Sequence, residues 1–220
     1  MKQRLHKHHG FSLIEVVIAL SIIGLLLTMT LQGQSLLMEA DVKNTIALSQ
    51  DLSRAIHDFK ERYHYLPGDL PRANEDISGI SERSSCANPG NGNGRIDEQE
   101  SRCVPEHLYR AGYISGAKIS ESEDGTKTIS IPYRGIKGSV QIVARSDSDV
   151  ANSDYPQNIQ HIIEFRHVPL EVAKGIDRKL DDGDLASGNV QASSGVSPVG
   201  GNTISQEDTG DLVQWLVTPL

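Results

Sequence analysis

Two acidic, glycine-bearing stretches hold the residues whose types and spacing could do chemistry. The first is "NPGNGNGRIDEQE", Asn88–Glu100. It follows the oxygen-ligand pattern D-x-[DN]-x-[DN]-G-x5-E in part. With Gly94 as the central glycine, Asn91 and Asn93 take the third and fifth places and the Arg95 carbonyl the seventh. Asp97 takes the ninth and Glu100 the twelfth. Hard oxygens in that order suit calcium, and the glycine allows the sharp turn. Pro89 falls at the first place, where it offers no side-chain ligand, so a Gly/Asn turn without an ion is the alternative. The second stretch is "KLDDGDLASGN", Lys179–Asn189, in which Asp181, Asp182 and Asp184 surround Gly183. They either converge on one ion or mark a tight Asp-Gly turn.

Cys86 and Cys103 bracket the first stretch. If this region is exported, an oxidising compartment favours one disulfide between them. The closed loop would contribute roughly 3 kcal/mol in the chain-entropy view. Zinc is the weaker reading, because two lone cysteines lack CxxC spacing and His107 does not complete a tetrahedral set. No G-x-S-x-G elbow, H-E-x-x-H helix or P-loop occurs. His161 and His167 lie near Glu164, but strand alternation puts His161 and Glu164 on opposite faces, which reads as surface residues. An anchored hydrolase is therefore a remote reading, and the chain is expected not to be an enzyme. The formal net charge of −8 with no Lys/Arg cluster past the N-terminus argues against nucleic acid.

These loops need elements to hold them. Phe11 to Leu31 is almost purely apolar with Glu15 as its only charge, and is long enough for a membrane-crossing helix. Lys2, Arg4 and Lys7 ahead of it predict a cytoplasmic N-terminus and an exported remainder. The helical pattern continues past the apolar part. Leu48, Leu52, Ile56, Phe59 and Tyr63 form one stripe, with charged residues on the other faces. Pro67, Gly68 and Pro71 in "YLPGDLPRAN" end it. Asn74 to Asp97 reads as a long loop. "PEHLYRAGYIS" reads as a short helix, with Pro105 in its first turn and Gly112 as its stop. "TKTISIPY", "SVQIVAR" and "NIQHIIEFRH" read as strands, and Val140, Ile142 and Ala144 alternate as in a half-buried one. "LEVAKGIDRKL" is a second short helix, Asp181 to Asp208 a second long loop, and "DLVQWLV" a last edge strand with Trp215 as a core anchor. The layout is α+β: a long N-terminal helix on a small antiparallel-sheet head with long loops.

Glu15 is the residue this layout leaves without a reason. A charge at the centre of a membrane helix costs about 3 kcal/mol on insertion scales. The short basic leader, Gly10, then Phe11-Ser12-Leu13-Ile14-Glu15 resembles the processing signal of type IV pilins and type II secretion pseudopilins. The resemblance implies cutting after Gly10 by a prepilin peptidase and methylation of the new N-terminal Phe11. It implies that Glu15 pairs with a neighbouring subunit's N-terminal amine during assembly, much as a polar core residue sets register in a coiled coil. An ordinary signal peptide would need a small-x-small site after the apolar run, and "TMTLQGQS" offers no clean one. "YLPGDLPRAN", "CANPGNGNGRIDE", "EHLYRAGYISG" and "IDRKLDDGD" are similar to one subgroup of exported proteins with such signals. Many major pilins and pseudopilins carry a proline in the mature helix where this chain has Gln32, which points to a minor subunit.

The domain layout expected from this reading is a leader at 1–10, a transmembrane and polymerisation helix at 11–35, and a periplasmic head at 36–220. The function expected is that of a structural subunit of a type IV pilus or type II secretion pseudopilus. It would sit first in the inner membrane as a single pass and later in the filament. Its partners would be the peptidase, the membrane and other pilin or pseudopilin subunits, with calcium as the one candidate cofactor. A tip subunit whose head binds a ligand or secreted substrate is the competing reading.

Overall fold

The computed structural model describes residues 12–115, 118–121, 127–133, 136–144, 159–192 and 212–219. Among these, side chains are not described at 29–32, 34, 118, 120, 121, 127 and 212–219. The chain divides into two compact units, Met1–Ala40 and Asp41–Leu220.

Helix α1 runs from Leu13 to Tyr63. Its sequence holds no proline, Glu15 lies in its first turn, and Lys60 and Arg62 lie in its last. Both signs suit the helix dipole. It stops where His64 takes the left-handed conformation (φ 62°), just before the Pro67–Gly68 turn. In the first unit the side chains from Leu13 to Leu27 stand exposed, Leu13 at 83%. The expected membrane crossing is not met by what is described. Among the described residues, no helix is long and apolar enough to cross a membrane. Side chains 29–32, the far end of the expected span, lie outside them.

In the second unit, the helical stripe is found, with its centre moved towards smaller residues. Val42, Thr45, Ser49, Leu52, Ala55, Ile56 and Phe59 are buried, while Leu48 and Tyr63 are only half-buried. Small residues let α1 lie close to its neighbours. The Thr45 and Tyr133 hydroxyls are 3.0 Å apart. A Cβ on Gly175 would come within 2.7 Å of Val42 Cγ2.

Among the described residues, four short helices and six strands complete this unit. The helices are α2 (Ala73–Asp76), α3 (Glu98–Ser101), α4 (Val104–Arg110) and α5 (Leu170–Leu180). The strands are β1 (Lys118–Glu121), β2 (Lys127–Tyr133), β3 (Ile136–Ala144), β4 (His161–Pro169), β5 (Gln191–Ala192) and β6 (Leu212–Pro219). They form one sheet in the order β1-β2-β3-β4-β6-β5, antiparallel throughout. The α+β expectation holds, and α4 sits where "PEHLYRAGYIS" placed it, with proline in its first turn.

Two expectations about strands need correction. β6 is not the edge, because the two-residue β5 pairs outside it, Gln191 opposite Val217. β3 is not half-buried at its end, because every residue from Val140 to Ala144 is buried, Gln141 included. Alternation marks a strand only when one face meets water. Here the loop that ends at Ile96 closes over the strand end, and Ala144 N–H donates to the Ile96 carbonyl at 3.1 Å.

Candidate functional site

Three places carry the residues singled out by sequence: the start of α1, the loop between Cys86 and Cys103, and the loop after α5. Gly10 and Phe11 lie outside the described residues. Ser12 is the first described residue, and its carbonyl accepts the Glu15 and Val16 amides at 3.0 and 3.2 Å. Glu15 is exposed on the first turn of α1, amid the exposed Leu13, Ile14, Val16 and Val17. Its carboxylate has no ion pair among the described residues.

Cys86 and Cys103 are joined in a disulfide, Cα to Cα 5.3 Å. His107 ties this bridge to the turn after α1. Its Nδ1 accepts the Gly68 N–H at 3.0 Å, so Nε2 carries the proton and donates to the Cys86 carbonyl, also at 3.0 Å. The ring is fully buried, which makes His107 a strut, not a zinc ligand.

The loop itself is organised by a residue that the sequence did not single out, Asp69. It is 0% exposed. Its Oδ1 accepts the Gly92 and Asn93 amides at 2.6 and 3.2 Å, and its Oδ2 accepts the Gly94 amide at 2.7 Å. Backbone N–H groups therefore converge on a protein carboxylate at the loop centre, an arrangement that gathers negative charge. Gly90 is required by the same packing, since a Cβ there would run into the Asp69 peptide and the Leu70 nitrogen.

The four residues of the calcium reading have other partners within this loop. Asn91 Oδ1 accepts the Asn93 amide at 3.0 Å, and Asn93 Oδ1 the Arg95 amide at 2.8 Å. Asp97 Oδ2 accepts from the side-chain amides of Asn91 and Asn93 at 3.1 and 3.2 Å. Glu100, buried at the start of α3, accepts the Asn91 amide on Oε1 and the Asp97 amide on Oε2, at 3.0 and 2.9 Å. Burial raises the Glu100 pKa, and those two amides act against the rise. The loop is thus internally satisfied in this geometry.

His161 and Glu164, read as surface residues, are both buried, Glu164 at 2% exposure. They do lie on alternate sides of β4, but both sides are covered. His161 Nε2 accepts the Ile96 amide at 3.0 Å, which fixes the loop to the sheet. Glu164 accepts from Gln141 Nε2 at 3.2 Å and from Arg166 Nε at 2.6 Å. His167 is exposed. Trp215 is paired with Arg166 in the sheet register, and its side chain lies outside the described residues.

In the loop after α5, the three expected aspartates do not act as a set. Asp184 Oδ1 accepts the Ala186 amide at 3.1 Å, closing a turn. Asp181 and Asp182 instead group with Asp177, from the last turn of α5. No sequence signal marks Asp177, since helical spacing alone assigns it to a polar face.

Residues 5–31 match the family described as the prokaryotic N-terminal methylation motif. The match takes in the second half of the leader from Leu5, with Gly10, Phe11 and Glu15, and ends at residue 31. That motif indicates a type IV pilin-like or pseudopilin protein, and with it processing by a prepilin peptidase and assembly with other pilins. No curated protein and no solved structure matches the chain.

Proposed function

We propose that this protein is a structural, non-enzymatic subunit, a minor one, of a type IV pilus or type II secretion pseudopilus. It is held by its N-terminal helix in the inner membrane, head on the periplasmic side, and then drawn into the filament. The observation that carries the reading is the methylation motif over residues 5–31 together with Glu15, exposed among exposed apolar side chains at the start of α1. Apolar surface left uncovered over several turns calls for lipid or a neighbouring helix. A lone carboxylate within it calls for a cation from that neighbour. The Phe11 amine released by cleavage would supply one. Gln32, in place of the proline of many major subunits, supports a minor role. The disulfide supports an oxidising compartment for the head.

Intact mass of the protein recovered from envelopes tests the reading. Maturation predicts a chain starting at a methylated Phe11. Gly10→Val should leave uncut precursor, because a side chain there obstructs approach of the peptidase to the backbone. Full maturation of that variant would contradict the proposal at its root.

A further inference from the structure

The loop between Cys86 and Cys103 contains two Asn-Gly pairs, Asn91–Gly92 and Asn93–Gly94. Asparagine is a chemically labile residue, most of all before glycine. A glycine nitrogen, with no side chain beside it, can reach the carboxamide of the residue before it. The fold asks for glycine at both places. Gly92 and Gly94 are left-handed, with φ 75° and 80°, and a Cβ on Gly92 would stand 3.0 Å from Tyr65 Cε1. The weak pairs are thus a consequence of the turn.

Burial does not protect them, because all four residues are exposed. The asparagine side chains do not protect themselves either. Their Oδ1 atoms accept the Asn93 and Arg95 amides, which draws electrons from each Cγ and eases attack on it. The restraint lies on the nucleophile. Gly92 N–H donates to Asp69 Oδ1 at 2.6 Å, and Gly94 N–H to Asp69 Oδ2 at 2.7 Å. Attack requires each nitrogen to give up that proton. The adjoining carboxylate charge opposes an anion on the nitrogen, and opposes the oxyanion that attack would form at Cγ. Asp69 is fully buried, so it keeps its place as long as the head is folded.

We infer that Asn91–Gly92 and Asn93–Gly94 form a latent self-modification site, closed while Asp69 holds the two glycine amides and opened when the loop leaves Asp69. In the open loop the Gly92 or Gly94 nitrogen gives its proton to hydroxide and attacks Cγ of Asn91 or Asn93. The N–Cγ bond forms, the Cγ–Nδ2 bond breaks, and ammonia leaves with a proton from water, which restores the hydroxide. Water then opens the five-membered imide at either carbonyl, giving aspartate or isoaspartate. Nothing is oxidised or reduced, and water is the only co-reactant. The change is one-way. In the folded loop the side-chain amides of Asn91 and Asn93 donate to Asp97 Oδ2 at 3.1 and 3.2 Å. A carboxylate in either place would meet Asp97 with like charge, and isoaspartate lengthens the backbone. A loop that has reacted once returns less well to Asp69, and its second pair reacts sooner.

The test follows the full-length protein in detergent at mildly alkaline pH. Trypsin, after reduction, releases the peptide 84–95, which carries both pairs. Its mass reports each amide turned to acid, and its extra chromatographic peaks report isoaspartate. Both pairs should react readily in urea with the bridge reduced. In the folded wild type they should react at least about tenfold more slowly, since each charged hydrogen bond shifts the opening equilibrium by that factor or more. Hydrogen exchange at the Gly92 and Gly94 amides should be slowed by the same factor, because both processes need the N–H free of Asp69. Asp69→Asn, shown to be folded by circular dichroism, should react at least about tenfold faster than wild type. If that variant does not fold, the urea and exchange measurements on the wild type decide. Equal rates in folded and unfolded wild type would overturn the proposal, as would no reaction in urea. So would fast exchange of the two glycine amides in the folded protein, or a folded Asp69→Asn that reacts at the wild-type rate.

Discussion

The Asp69 carboxylate accepts the Gly94 amide at 2.7 Å across 25 positions of sequence, and its other oxygen takes Gly92 and Asn93. A residue just past the end of α1 thereby folds the loop that the disulfide only closes. Charged hydrogen bonds of this kind contribute about 1.5–3 kcal/mol each when their loss leaves buried groups unpaired. Asp69→Asn keeps one acceptor and turns an NH2 towards backbone N–H groups. We expect a loss on the order of 3 kcal/mol, read as a fall in Tm of several degrees. A change within error would mean that the loop holds itself.

Removing the bridge should do less than removing Asp69. The chain-entropy view gives about 3 kcal/mol for a loop of this size, but it assumes a loop otherwise free to open. Here His107 and Asp69 also restrain it. Cys86→Ser/Cys103→Ser should therefore fold with a lowered Tm, while the oxidised wild type shows no free thiol. Failure of the double variant to fold would make the bridge the main tie.

His161 gives the head an acid sensitivity of definite sign. Its Nε2 accepts the Ile96 amide, which a protonated ring has no lone pair to do. Burial, then the Arg95 and Lys60 charges, hold its pKa below the ordinary 6.5, while Asp69 and Asp97 act the other way. The unfolded chain thus takes up the proton first. Stability from this group is complete above about pH 6.5 and is lost as pH falls towards the lowered value. His161→Gln keeps an acceptor that does not titrate. Between pH 7 and 5 the wild type should lose stability relative to that variant, and parallel curves would remove His161 from the account.

Glu15→Ala separates membrane anchoring from assembly. The variant should insert, be cut after Gly10 and fold its head, yet enter filaments poorly. Immunoblots of sheared filaments against envelope fractions measure this, read together with copy number. Wild-type incorporation would sink the pairing role of Glu15 and leave anchoring untouched.

Much of the frame was legible in the sequence because it rests on local rules. The α1 stripe, the proline-started α4 and the order of helix, loop and strands follow from spacing and breakers. The cysteine pair followed from compartment chemistry. What escaped was set by distant partners. Asp69 reads as a turn residue in "PGDLP", and nothing near it hints at amides 25 positions on. Asp177 reads as one polar helix residue among several until the loop folds back. Alternation puts His161 and Glu164 on opposite faces of β4 and reads both as surface residues, whereas neither face of β4 is wet at that point.

The anchors between α1 and the rest of its unit have a mechanical consequence. Val42 packs on Gly175, Thr45 on Tyr133, and Phe59 stacks against His107 with ring centroids 6.3 Å apart. They are strung along the helix from near the start of the unit to the last turns of α1. A pull along the axis from residue 41 therefore loads them in parallel, as shear, and they must yield together. A pull across the axis would peel them one at a time. Under load, this helix is far harder to draw out of its head lengthwise than to lift from it sideways.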